Sequence, residues 1–242
     1  MKFKKILVLQ HIEIEDLENI EEYFDPSNFR FTKIRLYKNE KIPPNLTDFS
    51  MMIVLGGPMD TWMEEKYPWL INEKKVIKKF VVDMQKPYLG ICLGCQLLGE
   101  VLGGKIIKSK KPEIGFFEVL SKKDILEDDI FYDFPNVFNV FQWHNYEVSH
   151  IKSQEIKVLA YSENTEFQLF RYKNNAYGMQ FHIEIKNDTI EKWSQKKSLT
   201  DTLKKIYGKN AVNQLKKEFI NKQKDINFLC RSFIYKFSKK IS

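Results

Sequence analysis

Tyr88-Leu-Gly-Ile-Cys-Leu-Gly94 is the stretch from which both the fold and the chemistry of this chain can be read. An apolar run ends at Cys92, glycine stands two residues before it and two after, and a helical pattern over Leu93–Leu102 follows at once, stopped by Gly103-Gly104. Gly90-x-Cys92-x-Gly94 is the cysteine form of a nucleophile elbow, a turn from strand to helix so tight that neighbouring side chains must be absent. Such a turn holds the sulfur at the carboxyl edge of a sheet, where open α/β folds keep their sites. It aims the positive end of the following helix at the sulfur and frees the Leu93 N–H to face an oxyanion. A buried structural cysteine beside a glycine turn would give the same local pattern. So would a dithiol redox pair, since Cys92-x-x-Cys95 is present, but that pair follows the fourth predicted strand rather than the first. A zinc site would need a second Cys pair or a close His pair, and the sequence has neither.

Outward from the elbow, short apolar runs alternate with helical patterns, the rhythm of βαβ units. Strands are predicted at Lys5–Gln10, Phe31–Tyr37, Met51–Leu55 and Tyr88–Cys92, with a helix over Pro68–Met84. Further strands are predicted at Ile114–Leu120, Val137–Gln142, Ile156–Tyr161, Phe167–Tyr172 and Ala176–Phe181. From Asn187 onward the pattern is helical. Ile226, Leu229, Cys230, Phe233, Ile234, Phe237 and Ile241 recur in steps of three and four, a stripe expected to pack against the sheet, with an oligomer or partner surface as the alternative. Residues 1–186 thus read as a catalytic domain and 187–242 as a basic helical extension packed on it.

Two other segments gain meaning beside the elbow. In Gly178-Met-Gln-Phe-His-Ile-Glu184, a strand predicted to end at His182 puts Glu184 on the same face, so Glu184 can hold one imidazole nitrogen while the other addresses a nucleophile. Alone, this is the pattern of a solvent-facing pair; with a cysteine elbow upstream it is the base and orienter of a Cys-His-acid set. In Val54-Leu-Gly-Gly-Pro58 a strand stops in two glycines, and Gly57 has no side chain to shield its amide, making it a second oxyanion donor or an ordinary tight turn.

Composition excludes other classes. The chain has 242 residues, 43% hydrophobic and 29% charged, which rules out wholesale disorder and a fibrous fold. Runs such as Ile6–Leu9 fall far short of the ~20 residues of a membrane helix, and Glu13, Glu15, Asp16 and Glu18 stand where a signal peptide would have its cleavage site. Three cysteines without an export signal argue for the reducing cytoplasm rather than a disulfide framework. Residues 192–242 carry 14 basic and 3 acidic residues, leaving 25 basic and 29 acidic in residues 1–191. A basic tail can serve nucleic acid; a solvated lysine-rich helical face is the preferred reading, so a nucleic-acid partner is not expected.

In combination the motifs resemble a class I glutamine amidotransferase domain, from about Ile6 to Glu184. Gly56-Gly-Pro-Met-Asp60, Lys86-Pro-Tyr-Leu-Gly-Ile-Cys-Leu-Gly-Cys-Gln-Leu-Leu98 and Gly178-Met-Gln-Phe-His-Ile-Glu184 occur in that family's order and spacing. Tyr67-Pro-Trp69, Glu113-Ile-Gly115 and Gln142-Trp-His144 are similar to its stand-alone, GMP-synthase-like branch. The resemblance implies a flavodoxin-like, doubly wound, mostly parallel sheet with flanking helices. It implies Cys92 as nucleophile, His182 as acid and base, Glu184 as orienting carboxylate and the Gly57 and Leu93 amides as oxyanion hole. Gln96 would help hold the amino-acid end of the substrate, with His144 and Tyr146 in the segment that lines the pocket; His11 and His150 read as surface or turn residues. No metal, flavin or nucleotide is implied.

Three positions depart from the family pattern. Ile183 stands where proline usually separates the His and Glu, Cys95 where a small residue is usual, and Asn145-Tyr146 where the stand-alone branch has Gly-Asp after Trp-His. The expected activity is hydrolysis of glutamine's side-chain amide, with ammonia passed to a synthetase on a separate subunit, because 187–242 is helical and has no phosphate loop. The alternative is a γ-glutamyl peptidase with the same triad, which the loss of the acidic group at Asn145-Tyr146 keeps open. A third reading is a non-enzymatic binding module with a basic tail. A homo-oligomer is compatible with any of them.

Overall fold

The computed structural model of the chain describes residues 3–195 and 197–241. Its first strands, β1 (Lys4–Gln10), β2 (Phe29–Arg35), β3 (Phe49–Val54) and β4 (Tyr88–Ile91), are parallel neighbours in the order β2-β1-β3-β4. The inner three are continuous apolar runs because both faces are covered. Ile6 and Val8 point into one core layer, Leu7 and Leu9 into the other, by the two-residue period of a strand. Helix α1 (Asn19–Tyr23) covers the first face; α2 (Trp69–Lys78), which runs on as a wider π turn through Asp83, and α3 (Leu93–Val101) cover the second.

Beyond β4 come β5 (Lys105–Ser121), β6 (Val137–Ser149), β7 (Ile156–Tyr161), β8 (Leu169–Tyr172) and β9 (Ala176–Met179). The full order is β2-β1-β3-β4-β9-β8-β7-β5-β6. β9 lies parallel to β4 and completes the flavodoxin-like half, whereas every pairing from β9 outward to β6 is antiparallel. The expectation of a mostly parallel sheet is therefore corrected: the sheet is mixed, with four parallel and four antiparallel pairings. Short connections join β7 to β8 and β8 to β9 as hairpins, which are antiparallel, while β5 and β6 pair across the longer segment 122–136 and β7 returns to pair with β5.

Local differences have local causes. β5 starts at Lys105 rather than Ile114, because the register shift between Lys108 and Glu113 and the polar run Lys108–Lys111 mask the strand's first half. β6 continues past Gln142 to Ser149, carrying His144 and Tyr146 on a strand. β9 ends at Met179; His182 lies beyond it, tied by a lone antiparallel bridge to Phe141.

After β9, α4 (Thr189–Ser194), α5 (Lys197–Tyr207) and α6 (Ala211–Lys239) return over the face covered by α1. The apolar stripe from Ile226 to Ile241 is buried in the same core layer as Ile6, Met51 and Tyr177, so it packs against the sheet. Among the described residues no helix is long and apolar enough to cross a membrane.

Candidate active site

The carboxyl ends of β1, β3, β4 and β9 converge on one cleft of about 230 Å³. Cys92 follows β4 directly, with φ +50°, a conformation costly for any residue but glycine. The surroundings hold it there: its N–H donates to the Met179 carbonyl at 2.8 Å and its carbonyl starts α3 by accepting from the Gln96 N–H at 3.1 Å. A side chain on Gly94 would run into the Val54 carbonyl, which is the physical reason for that glycine. The sulfur sits 3.9 Å from the Trp143 carbonyl oxygen.

His182 comes to the same cleft from beyond the end of β9, where the Cys92 sulfur acts on its imidazole. Its Nδ1 lies 2.6 Å from Oε1 of Glu184, and both residues are buried. Burial alone would push this imidazole down; the Glu184 carboxylate and the Cys92 sulfur outweigh it and hold the group well above the ordinary imidazole value. Ile183, in place of proline, leaves the pair in contact. Trp193 of α4 packs edge-on to the imidazole, ring centroids 4.9 Å apart, and its indole N–H donates to the Ile14 carbonyl at 3.0 Å.

Gly57 and Leu93 line the cleft beside Cys92, and among the described residues the backbone N–H of neither donates to a protein acceptor. Gln96 is largely committed within the protein: its amide nitrogen donates to the Tyr146 carbonyl at 2.9 Å and to Oε1 of Gln180 at 3.2 Å. His144 lines the cleft with Nδ1 3.1 Å from the Tyr146 carbonyl, while Nε2 lies 3.1 Å from Oε2 of Glu113. Tyr146 stands at the cleft against the half-exposed Trp62, centroids 4.8 Å apart. The structure therefore brings Cys92, His182, Gly57, Leu93, Gln96, His144 and Tyr146 to one cleft, with Glu184 behind His182.

Cys95 is wholly buried in the layer under α3, where desolvation pushes its thiol up. His150 is the exposed turn residue expected, with φ +60°. His11 is not. Far from the surface, it is 1% exposed, with Nδ1 2.9 Å from the Gly56 carbonyl and Nε2 2.8 Å from Oε1 of Glu73. An isolated His after a strand carries no sequence signal of a buried acid partner 62 positions away.

Two cleft carboxylates escaped the sequence reading. Glu15, partly buried, lines the cleft, and desolvation, partly offset by His182 and His11, raises its pKa to about 7. Asp60 also lines the cleft; desolvation raises its pKa, and among the described residues no cation or donor engages its carboxylate. Asp60 belongs to the Gly56-Gly-Pro-Met-Asp60 motif and could have been singled out there; Glu15 looked like one more acid in a polar loop.

A cysteine on a strained elbow, an imidazole held by a buried carboxylate and two idle amides share one cleft, the set of groups that thiol-hydrolase chemistry uses. The model of the class-I glutamine amidotransferase family matches residues 15–199, so the chain belongs to that family. Among relatives, the glutamine amidotransferase-like protein YfeJ of Salmonella typhimurium is 33% identical over 160 residues, 65% of this chain and 66% of that protein. A subunit of the glutamine-hydrolyzing GMP synthase of Sulfurisphaera tokodaii is 36% identical over 149 residues, 61% of this chain and 74% of that protein. The crystal structure of a glutamine amidotransferase from Thermotoga maritima superposes with a TM-score of 0.86 at 32% identity, covering 98% of this chain and 99% of that one.

Proposed function

We propose that the chain hydrolyses the side-chain amide of glutamine through a thioester on Cys92. The Cys92 thiol gives its proton to His182 and the thiolate attacks the amide carbon as the Gly57 and Leu93 N–H groups take up the negative charge on its oxygen. The imidazolium of His182 gives its proton to the departing nitrogen, so ammonia leaves and a γ-glutamyl thioester remains. The now neutral His182 takes a proton from water as that water attacks the thioester and returns it to the departing sulfur, so glutamate is released and the thiol is regenerated. Glu184 keeps the imidazole oriented and stabilises its charged form. The observation that carries this reading is that Cys92 and His182 line one cleft while Nδ1 of His182 is held 2.6 Å from Glu184.

The cleft suits an amino acid: its volume lies below the roughly 300–1,000 Å³ of pockets for drug-sized ligands. Asp60 supplies an anion for the substrate's ammonium where Asn145-Tyr146 offers none. This chain is further read as a cytoplasmic catalytic domain over 1–186, with 187–242 as a helical extension. It delivers ammonia to a synthetase on a separate subunit, the arrangement that the name of the Sulfurisphaera tokodaii relative implies for that protein. The Trp62–Tyr146 pair at the cleft favours a second reading, a γ-glutamyl peptidase whose leaving group rests on those rings.

Ammonia release from glutamine, with intact-mass detection of the acyl-enzyme, tests the first reading, and C92A should abolish both signals. Near-full turnover by C92A would overturn the mechanism. A kcat/KM higher for γ-glutamyl dipeptides than for glutamine would replace the first reading by the second.

A further inference from the structure

Resting on the reading of Cys92 as nucleophile and of the Gly57 amide as oxyanion donor, we propose that His11 is a positioning residue for that amide: it grips the Gly56 carbonyl from beneath and so turns the Gly57 N–H toward Cys92. The carbonyl of Gly56 and the N–H of Gly57 belong to one peptide unit. In a trans peptide they point in opposite directions, and the protein has no cis peptide among the described residues. Whatever fixes the carbonyl therefore fixes the N–H.

His11 is built for that grip. It follows β1, adjacent in the sheet to β3, and is fully buried. A carbonyl oxygen only accepts, so the ring nitrogen 2.9 Å from it, Nδ1, must carry a hydrogen. The other nitrogen faces Glu73 of α2 at 2.8 Å, with both side chains excluded from solvent. Whether the shared proton rests on Nε2 or on the carboxyl group, Nδ1 keeps its hydrogen, and the tautomer is set by Glu73. Two further titratable groups act on the dyad electrostatically: Glu15, which lines the cleft, and Tyr88 of β4, whose hydroxyl donates to the Gly94 carbonyl. Contact is also direct at the glycine, because a side chain on Gly57 would come within 2.9 Å of the His11 Cβ. Two flexible glycines need such a clamp, since neither has a side chain to limit rotation of the peptide between them.

Two isosteres separate the roles of the ring nitrogens. In His11→Asn the amide nitrogen takes the place of Nδ1 and still donates to Gly56; in His11→Gln it takes the place of Nε2, keeping Glu73 paired and releasing Gly56. With glutamine and γ-glutamyl p-nitroanilide as substrates, H11Q is expected to lose about 10- to 100-fold in kcat with KM nearly unchanged, the scale of a displaced oxyanion donor. H11N is expected to stay within about threefold, although its melting temperature falls at least as far as that of H11Q. Crystal structures of both variants should show the Gly56–Gly57 peptide kept in H11N and rotated in H11Q. Activity that instead follows melting temperature, or an H11Q that keeps both kcat and the peptide orientation, overturns the proposal. Should H11Q not fold, Glu73→Gln decides: a neutral His11 still carries its hydrogen on Nδ1, so kcat should remain within about threefold, and a loss above tenfold refutes the clamp. If the wild-type protein turns over neither substrate, the functional reading has failed, and the peptide orientation in the two crystal structures still judges this inference.

Discussion

Glu184→Gln is the most informative single change in the cleft, because it preserves shape and removes only the charge. Oε1 of Glu184 is 2.6 Å from Nδ1 of His182 and both groups are buried, so solvent cannot replace the carboxylate. Opposite charges about 4 Å apart at an effective dielectric constant near 20 attract by about 4 kcal/mol. That attraction stabilises the imidazolium that must protonate the leaving ammonia, and 4 kcal/mol is about 10³-fold in rate. The introduced side-chain amide can also donate its own N–H to Nδ1, which pins the imidazole in the tautomer unable to accept a proton at Nε2. The expected loss is thus about 10³-fold in kcat, with KM changed less than threefold. The pH profile supplies the second readout. Glu184 and Cys92 hold the His182 pKa well above its ordinary value, so the protonated acid persists as pH rises and fails only above that raised pKa. In the variant the descending limb of kcat/KM should move to lower pH. A coupled glutamate dehydrogenase assay from pH 6 to 10 measures both. A folded E184Q enzyme with kcat within fivefold of wild type, or with an unmoved descending limb, would refute the reasoning.

Other perturbations address single links. Asp60→Asn removes the unengaged cleft carboxylate; since a hydrogen bond to a charged group contributes about 1.5–3 kcal/mol, KM for glutamine should rise about 10- to 100-fold with kcat nearly kept, and a KM within threefold would remove Asp60 from substrate binding. Glu15, with its pKa raised to about 7, holds a proton in the folded state that the unfolded chain releases near pH 4.5. Its contribution therefore favours folding at low pH and is lost as pH rises from about 4.5 to 7, by on the order of 3 kcal/mol. Urea melts of E15Q at the two ends of this window should lack that part of the slope, and identical pH dependence in variant and wild type would count against it. Trp193→Ala strips a ring from His182 and Trp143, and truncating a buried aromatic costs about 3–5 kcal/mol. Denaturant melts should show that loss together with reduced kcat; an unchanged midpoint would mean that α4 does not buttress the site.

What could be read from the sequence was whatever a local rule dictates. The elbow is legible because only glycine fits at 90 and 94, so the demand of the fold is written in residue type. His182 and Glu184 are legible because two positions along an extended chain bring side chains to one face, even though β9 stops three residues before His182. Of the antiparallel outer strands, β7 and β8 are legible to within two residues and β5 and β6 only in part, and the direction of none is, since an apolar run has the same composition in either orientation. His11 and Glu73 were missed for a related reason. They meet through the packing of α2 beside β1 and β3, which no spacing in the chain encodes.

The charge of the C-terminal helices illustrates the same limit. Fourteen basic against five acidic residues over 187–242 could mark a surface for an acidic partner, and counting cannot tell an external partner from an internal one. In the folded chain Lys192 reaches Glu18, Lys236 reaches Asp133 and Lys240 reaches Asp129, all of them acids of the region before residue 187. Each such surface pair adds little, about 0–1 kcal/mol. Their shared direction matters more than their size: a net negative body and a net positive extension attract as wholes. The apolar stripe of α6 supplies the burial that fixes the contact. Charge and stripe therefore act on one interface within the molecule, and α4, at the root of that extension, uses the anchorage to hold Trp193 against His182.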